Sequence, residues 1–321
     1  FGNQVIVTSS ASSARAVTAA DFNGDGVMDL AAASLVDDTY GVYLSNGDGT
    51  FGAEIVVSST EVGPTHITTG DFNGDGVIDL LGATFLGNSV DVYLGNGDGT
   101  FGDSIVVDSN IFHPFANAVG DFNGDGVDDI IAGSADESVS VYLGNGDGTF
   151  EDVAKESLPH TPWYSMGTDV ADINNDGWMD FMGSDMSGSN HYKQKASMGD
   201  MSTTGWFLVH PTPRQYMRNA LYLHTGTDRF MEIAQLAGVA NTDWTWSLKF
   251  GDLDEDGWSD LFVTNGMNRD WTNSDIRNKS NRAATEEEKI QIWLDSPQRR
   301  DANLVYRNGG NLKFADKGNE W

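Results

Sequence analysis

Carboxylate-rich loops recur five times in this 321-residue sequence. The stretch "DFNGDGVMD" begins at Asp21, and related stretches begin at Asp71, Asp121, Asp172 and Asp252. Each loop carries side-chain oxygens at positions 1, 3, 5 and 9, counted from its first Asp. The residues are Asp21, Asn23, Asp25, Asp29; Asp71, Asn73, Asp75, Asp79; Asp121, Asn123, Asp125, Asp129; Asp172, Asn174, Asp176, Asp180; and Asp252, Asp254, Asp256, Asp260. Such oxygens suit Ca²⁺, which takes roughly six to eight of them, with a backbone carbonyl near position 7 completing the shell. We predict about five Ca²⁺ ions.

The loop chemistry separates this pattern from an EF-hand, because no loop has the bidentate Glu that an EF-hand needs at position 12. Glycine at position 6 of every loop lets the backbone turn back on an ion. The alternative is an Asx-rich turn that binds no ion, in which the crowded carboxylates would repel one another. The fifth loop has Asp254 where the others have Asn, so we expect it to hold its ion most tightly.

A second motif alternates with the loops and indicates which elements position them. In stretches such as "YLGNGDGTF", Tyr and Phe stand eight residues apart in five copies. The intervening runs are rich in β-branched and aromatic residues, and "NGDG" between two of them favours a tight hairpin. Each repeat of about 50 residues therefore predicts four strands, which is typical of a β-propeller blade. A β-solenoid and a string of small modules are the alternatives.

The predicted fold is all-β: a single β-propeller over residues 1–321, built of four-stranded antiparallel blades, five of them with metal loops. The repeats lie near 1–50, 51–100, 101–149, 150–229 with an insertion at 181–219, and 230–321 with an insertion at 264–303. Phe1 stands where a fourth strand begins in later repeats, so a strand over residues 3–9 has no blade of its own. We therefore expect a ring of about seven blades, completed by further sequence or by a neighbouring chain.

Composition excludes several classes of function. The 48 acidic and 18 basic residues give a formal charge of -30, so nucleic acid would be repelled. No apolar run is long enough to insert into a membrane. The absence of cysteine excludes disulfides and thiolate metal sites. No catalytic motif is evident, and the six His have no motif spacing, so we expect a protein that is not an enzyme.

The alternation of acidic loop and "GNGDGTFG" resembles the FG-GAP/VCBS repeat, the blade unit of integrin α-subunit propellers and of many secreted bacterial proteins. From about residue 163, stretches such as "NALYLHTGTDRF" also resemble bacterial relatives of the cartilage acidic protein family. Those relatives often end in an ASPIC/UnbV module, which is not evident in this sequence. The resemblances imply an extracellular Ca²⁺-binding propeller.

The two insertions carry most of the residues that could contact a ligand. The first contains His191, Tyr192, Lys193, Lys195, Trp206, Arg214 and Arg218, and the second contains Arg269, Trp271, Arg277, Lys279 and Arg282. They could bind a polysaccharide or a protein partner, or they could simply form a small core and offset the acidic body. "TEEEKIQIWLDSP" predicts a short helix with Thr285 as N-cap and Glu288 completing a capping box. We expect Trp178 and Trp258, inside the loops, to be packing residues.

These observations favour an extracellular or cell-surface module for adhesion or recognition, with a polysaccharide, a protein or neighbouring copies of the chain as partner. Two further classes stay open. One is the structural subunit of an extracellular assembly or filament. The other is a calcium-dependent polysaccharide lyase or glycosidase, since lyases can use Lys or Arg from loops like these.

Overall fold

The computed structural model describes residues 7, 13–60, 62–134, 139–190, 193–194, 213–267, 269, 273–299 and 301–318. The fold consists of two compact units, residues 1–157 and 158–321. Nearly all of the strand predicted at residues 3–9 lies outside the described residues. No helix in the described part of the chain is long and apolar enough to cross a membrane.

Strands dominate both units. They are β1 Ala14–Ala20, β2 Asp29–Ser34, β3 Thr39–Tyr43, β4 Ile55–Ser58, β5 Pro64–Gly70, β6 Asp79–Thr84, β7 Ser89–Gly95, β8 Phe101–Asp108, β9 Ala116–Gly120, β10 Asp129–Gly133, β11 Val139–Gly144, β12 Phe150–Asp152, β13 His160–Pro162, β14 Gly167–Ala171, β15 Asp180–Ser184, β16 Met186–Ser187, β17 Arg214–Tyr216, β18 Ala220–His224, β19 Phe230–Glu232, β20 Asp243–Gly251, β21 Asp260–Asn265, β22 Leu304–Asn308 and β23 Phe314–Asp316. The described helices are α1 Ala154–Ser157, α2 Ala234–Ala237, α3 Ser274–Asn281 and α4 Glu286–Leu294.

All strands except β13 and β17 form five antiparallel up-and-down sheets, which confirms the prediction of four strands per repeat. Sheet 1 is β1-β2-β3-β4, sheet 2 is β5-β6-β7-β8, sheet 3 is β9-β10-β11-β12, and sheet 4 is β14-β15-β18-β19. Sheet 5 has five strands, β16-β20-β21-β22-β23, because β16 comes from the first insertion. The strand that starts at or shortly after each motif Phe closes the sheet before it. Each sheet is therefore offset from the repeat as counted along the sequence.

Large side chains at repeated positions form the core between successive sheets. In the first unit, Tyr40 of sheet 1 packs against Tyr93 of sheet 2, with ring centroids 5.8 Å apart. Phe22 in the first loop meets Phe101 edge-on at 5.8 Å. The same contact joins Phe72 and Phe150 one sheet further along, also at 5.8 Å. The motif Tyr is buried in all five sheets, and the motif Phe is half-buried in sheets 1 to 3 and buried in sheets 4 and 5. Full burial of a side chain of this size stabilises the fold by roughly 1.5–3 kcal/mol.

The two insertions leave their sheets between the second and third strands. In the first, β16 pairs with β20 and β17 pairs in parallel with β13. The second contains α3 and α4, and α4 begins after Thr285, whose Oγ1 accepts the N–H of Glu288 at 3.1 Å. Glu288 Oε2 accepts the N–H of Ala284, one residue before the N-cap, at 2.8 Å. The predicted helix is confirmed, with a capping box shifted by one residue.

Candidate metal centres

The first Asp of every loop organises the turn by accepting backbone N–H groups from later loop positions. In the first loop, Asp21 Oδ1 accepts from Asp25 at 3.1 Å and Oδ2 accepts from Gly26 at 2.7 Å. The other four loops repeat both hydrogen bonds, at 2.9–3.2 Å and 2.8–2.9 Å. The loop therefore wraps around a carboxylate whose two oxygens face its interior.

Positions 3 and 5 are linked in the first four loops. The Nδ2 of Asn23 donates to Asp25 Oδ2 at 3.0 Å, and Asn23 Oδ1 accepts the N–H of Asp25 at 2.9 Å. Loops two to four repeat the amide-to-carboxylate bond at 2.8–2.9 Å. In all five loops, Oδ1 of the position-5 Asp accepts the N–H of position 7 at 2.8–3.0 Å. The exposed carboxylates are held in one arrangement by amides of the same loop.

The position-9 Asp is fully buried in every loop and connects the loop to the sheet. Asp29 Oδ2 accepts the N–H of Phe22 at 3.0 Å, and its Oδ1 accepts the N–H of Ser45 at 2.7 Å. The same pair of bonds recurs at Asp79, Asp129, Asp180 and Asp260, at 2.7–3.1 Å and 2.7–2.8 Å. These residues therefore have a structural role besides any part in binding an ion.

Burial opposes ionisation of the position-9 carboxylates. It raises the pKa of Asp79 and of Asp129 to about 6, and the pKa of Asp180 to about 7, although two backbone N–H groups lower each of them. The neighbouring loop carboxylates raise these pKa values further. A divalent cation in the loop would favour the ionised form, because an opposite charge nearby stabilises it.

Two positions in each loop need left-handed backbone. Position 6 is Gly in all five, with φ of 81–89°. Position 4 has φ of 71–75° at the glycines of loops one to three, but it is Asn175 at 56° and Glu255 at 60° in the last two. Glycine and Asn adopt this region readily, whereas Glu does so at a cost. The glycine prediction for position 6 is confirmed, and Glu255 is the strained member of its set.

The fifth loop differs in its surroundings. Nη2 of Arg307, on β22, donates to Asp256 Oδ2 at 2.7 Å, and Nε of Arg307 lies 2.7 Å from Asp254 Oδ2. Ligand oxygens of Asp252, Asp254 and Asp260 lie within 4.8 Å of one another. Oδ1 of Asp254 is buried and has no hydrogen-bond partner among the described residues. An unpartnered carboxylate oxygen beside two others fits a Ca²⁺ ligand set with bonds of roughly 2.3–2.6 Å.

Position 7 packs the loop against the hairpin of its own sheet. Trp178 stacks on His224, with ring centroids 4.7 Å apart, and lies beside Gly226. Trp258 covers Gly310 in the corresponding place of sheet 5. Val77 and Val127 take the same position against hairpin glycines of sheets 2 and 3. The prediction that both Trp are packing residues is confirmed.

Lys193 and Arg299, one from each insertion, are held in ion pairs with Asp301. Lys193 Nζ lies 2.6 Å from Asp243 Oδ2 and 3.1 Å from Asp301 Oδ1, and Arg299 Nε lies 2.6 Å from Asp301 Oδ2. Burial raises the pKa of Asp243, but the bonds from Lys193 and Ser189 outweigh it and hold that pKa below its ordinary value. This cluster joins the first insertion to the end of the second.

A cluster around His160 was not predicted from the sequence. Nε2 of His160 lies 3.2 Å from Glu232 Oε2, and Nη2 of Arg218 lies 3.3 Å from the same oxygen. Tyr222 donates its hydroxyl to the carbonyl of His160 at 2.8 Å. Burial raises the pKa of Glu232, but His160 and Arg218 keep it below its usual range. No motif spacing connects these residues, because 58 positions separate His160 from Arg218.

The other predicted insertion residues fall into two groups. Arg214, Arg277, Lys279 and Arg282 are exposed, and Arg269 donates to the carbonyl of Ser296. His191, Tyr192, Lys195, Trp206 and Trp271 lie outside the described residues. The described insertions therefore contain both cations held by neighbouring residues, such as Lys193 and Arg218, and cations on the surface.

Comparison with solved structures identifies a related fold. A lectin from Agrocybe aegerita that specifically recognises non-reducing terminal N-acetylglucosamine is 19% identical, with a TM-score of 0.52 over 94% of this chain and 64% of the lectin chain. The chain thus spans less than two thirds of the lectin's length. The V. cholerae biofilm matrix protein Bap1 is 17% identical, with a TM-score of 0.38 over 79% of this chain and 34% of that protein. No curated protein matches the chain in sequence.

Three overlapping segments, residues 21–82, 71–132 and 121–182, match the FG-GAP-like repeat. Together they cover just over half of the chain and include the first four loops. The resemblance of the second half to relatives of the cartilage acidic protein stays a prediction. The repeated loops, the four-stranded sheets and these matches show that the chain belongs to the FG-GAP repeat β-propeller family.

Proposed function

We propose that the chain is a calcium-stabilised recognition module that works outside the cell and binds a polysaccharide or a protein. The observation that carries the calcium proposal is the repeated loop itself. Each copy offers only oxygen ligands at positions 1, 3, 5 and 9, and in the fifth loop ligand oxygens of three carboxylates lie within 4.8 Å of one another. Bound Ca²⁺ would relieve the repulsion between these carboxylates and hold each loop against its sheet.

Recognition of a sugar is supported by the likeness to the lectin, which extends over 94% of this chain. At 19% identity the likeness is one of fold, so the ligand itself is part of the proposal. The formal charge of -30 disfavours anionic polymers. We therefore propose neutral glycans as the first ligand class to test, with a protein partner as the second.

Binding is proposed in preference to catalysis. A lyase would need a basic residue free to abstract a proton or to neutralise a substrate carboxylate. Among the insertion cations considered for this, Lys193 and Arg218 are engaged in ion pairs with Asp243, Asp301 and Glu232, whereas Arg214, Arg277, Lys279 and Arg282 are exposed. Release of new reducing ends from neutral or acidic polysaccharides would contradict this part of the proposal.

The extracellular location follows from the expected affinity. Loops of this kind in extracellular modules bind Ca²⁺ at roughly 10⁻⁴–10⁻³ M, so they would stay empty in a cytosol with submicromolar Ca²⁺. Cell fractionation of the native source should recover the protein outside the cytoplasm. Recovery of the full-length protein in the cytosolic fraction would count against the proposal.

A glycan array tests the recognition proposal directly. The full chain is applied in Ca²⁺ and in EDTA, and we expect retention of a neutral glycan only in Ca²⁺. The substitution Val56→Ala, at an exposed strand position away from the loops, serves as the matched control and should bind like the parent. If the folded, calcium-loaded chain binds no glycan, the polysaccharide proposal is wrong and the protein partner becomes the working hypothesis.

A further inference from the structure

The fifth repeat departs from the other four at two positions at once. Loop position 3 is Asp254 instead of Asn, and the residue after the motif Tyr is Arg307 instead of Leu. The corresponding leucines are Leu44, Leu94, Leu143 and Leu223. The two changed positions are 53 residues apart in sequence, yet their side chains are in contact.

The Asn of the first four loops has a specific role. Its Nδ2 group donates to Oδ2 of the position-5 Asp, as Asn23 does to Asp25 at 3.0 Å. An ionised Asp at position 3 has no hydrogen to donate. Asp254 would therefore leave the outer oxygen of Asp256 without its donor and add a like charge beside it.

Arg307 supplies the hydrogen-bond donor that is missing where position 3 is Asp instead of Asn. Its Nη2 donates to Asp256 Oδ2 at 2.7 Å, which is the oxygen that the Asn amide contacts in the other loops. Its Nε lies 2.7 Å from Asp254 Oδ2, so one guanidinium spans both carboxylates. A planar guanidinium with several donors suits such a bridge better than an ammonium.

We propose that Arg307 is an internal counter-cation of the fifth loop. It replaces the amide donor lost at Asp254 and returns the net charge at the ligand positions to that of the other loops, which have three carboxylates each. Arg307 is thus a positioning residue that acts through Asp254 and Asp256. The loop keeps its conformation without Ca²⁺ and binds Ca²⁺ no more tightly than the other loops. The expectation that the fifth loop binds Ca²⁺ most tightly was based on the loop residues alone and left out Arg307.

A double-mutant cycle in EDTA tests whether Arg307 stabilises the fifth loop without Ca²⁺. Arg307→Leu should lower the melting temperature by roughly 2–4 °C, because Asp254 and Asp256 then repel each other without a donor between them. Adding Asp254→Asn recreates the Asn and Leu of the other repeats and should recover most of the loss. Lys313→Leu is the matched control: this exposed cation lies on the same hairpin and makes no ion pair among the described residues. It should leave the melting temperature unchanged.

The expected effect of Arg307 on Ca²⁺ affinity rests on the proposed function. Isothermal titration should show one site with about tenfold higher affinity in Arg307→Leu than in the parent, because removal of the cation leaves four carboxylates for one ion. Arg307→Lys, which keeps the charge, should stay close to the parent and provides a folded comparison. If neither protein binds Ca²⁺, the calcium proposal fails, while the cycle in EDTA still decides the role of Arg307.

Two results in EDTA would overturn the inference that Arg307 stabilises the metal-free loop. One is a melting temperature of Arg307→Leu in EDTA equal to that of the parent. The other is failure of Asp254→Asn to restore it, which would show that Arg307 acts elsewhere in the fold. Unchanged Ca²⁺ affinity in Arg307→Leu, in a chain that does bind Ca²⁺, would contradict the counter-cation role.

Discussion

The backbone N–H of Gly95 donates to Oδ1 of Asp79 at 2.8 Å, and this bond fastens the third strand of sheet 2 to its acidic loop. The other oxygen of Asp79 accepts the N–H of Phe72 at 2.9 Å. Both N–H groups therefore have the same buried carboxylate as their acceptor. The equivalent bonds recur in the other four sheets.

Replacement of this carboxylate should therefore destabilise the protein even without metal. We expect Asp79→Ala to lower the free energy of unfolding by about 2–4 kcal/mol in EDTA, since two buried N–H groups lose their acceptor. Asp75→Ala, at an exposed position of the same loop, should cost less than about 1 kcal/mol under the same conditions. Urea denaturation measures both. Equal losses would show that Asp79 has no structural role beyond ion binding.

Chelation should lower the melting temperature of the whole chain, because five loops of crowded carboxylates lose their counter-ions. Ca²⁺ should restore it far better than Mg²⁺, which prefers a tighter octahedral shell. Scanning fluorimetry in EDTA, Ca²⁺ and Mg²⁺ at matched ionic strength separates specific binding from the screening of a chain with a charge of -30. An identical melting curve with and without EDTA would contradict calcium stabilisation.

Glu255 should be replaceable with a gain in stability. Its φ of 60° lies where loops one to three have glycine. Glu255→Gly relieves the left-handed strain, partly offset by the greater freedom of glycine in the unfolded chain, so we expect a gain of up to ~1 kcal/mol. Glu255→Gln removes the same charge and keeps the strain. If chemical denaturation gives both variants the same stability, the effect is one of charge alone.

Asp185 should make stability depend on pH. Burial raises the pKa of its carboxyl to about 7, although several backbone N–H groups, including those of Trp163 and Met186, lower it. The folded chain then holds a proton that the unfolded chain has already released. The stabilising contribution is therefore fully present below pH ~4 and is lost as the pH rises through about 7.

The measurement compares the parent with Asp185→Asn between pH 5 and pH 8. The parent should lose stability with rising pH by up to a few kcal/mol more than the variant, which has no proton to release. At pH 5 the variant should be the less stable of the two, since its amide nitrogen faces a backbone N–H. Parallel pH profiles would refute the assignment.

Much of the fold could be predicted because the interactions that specify it lie within short stretches of sequence. The φ above 80° at Gly26, the hairpin glycines and the eight-residue spacing of Tyr and Phe each act within one turn or one strand pair. Repetition made the pattern visible and predicted the strands and the loops, whereas the capping box alone predicted the helix that begins after Thr285. The Asx network of the loops is likewise local, since every partner of Asp21 lies within five residues.

The tertiary structure determines the contacts between residues that are far apart in the chain. Arg307 reaches Asp256 across 51 positions, and Lys193 reaches Asp301 across 108. The division into two units and the pairing of β16 with sheet 5 likewise depend on the packing of whole elements. Spacing along a sequence fixes only which residues share a turn or a strand. Which cation neutralises which carboxylate is set by distance in the folded chain, because Coulomb attraction and hydrogen bonding act only at close range.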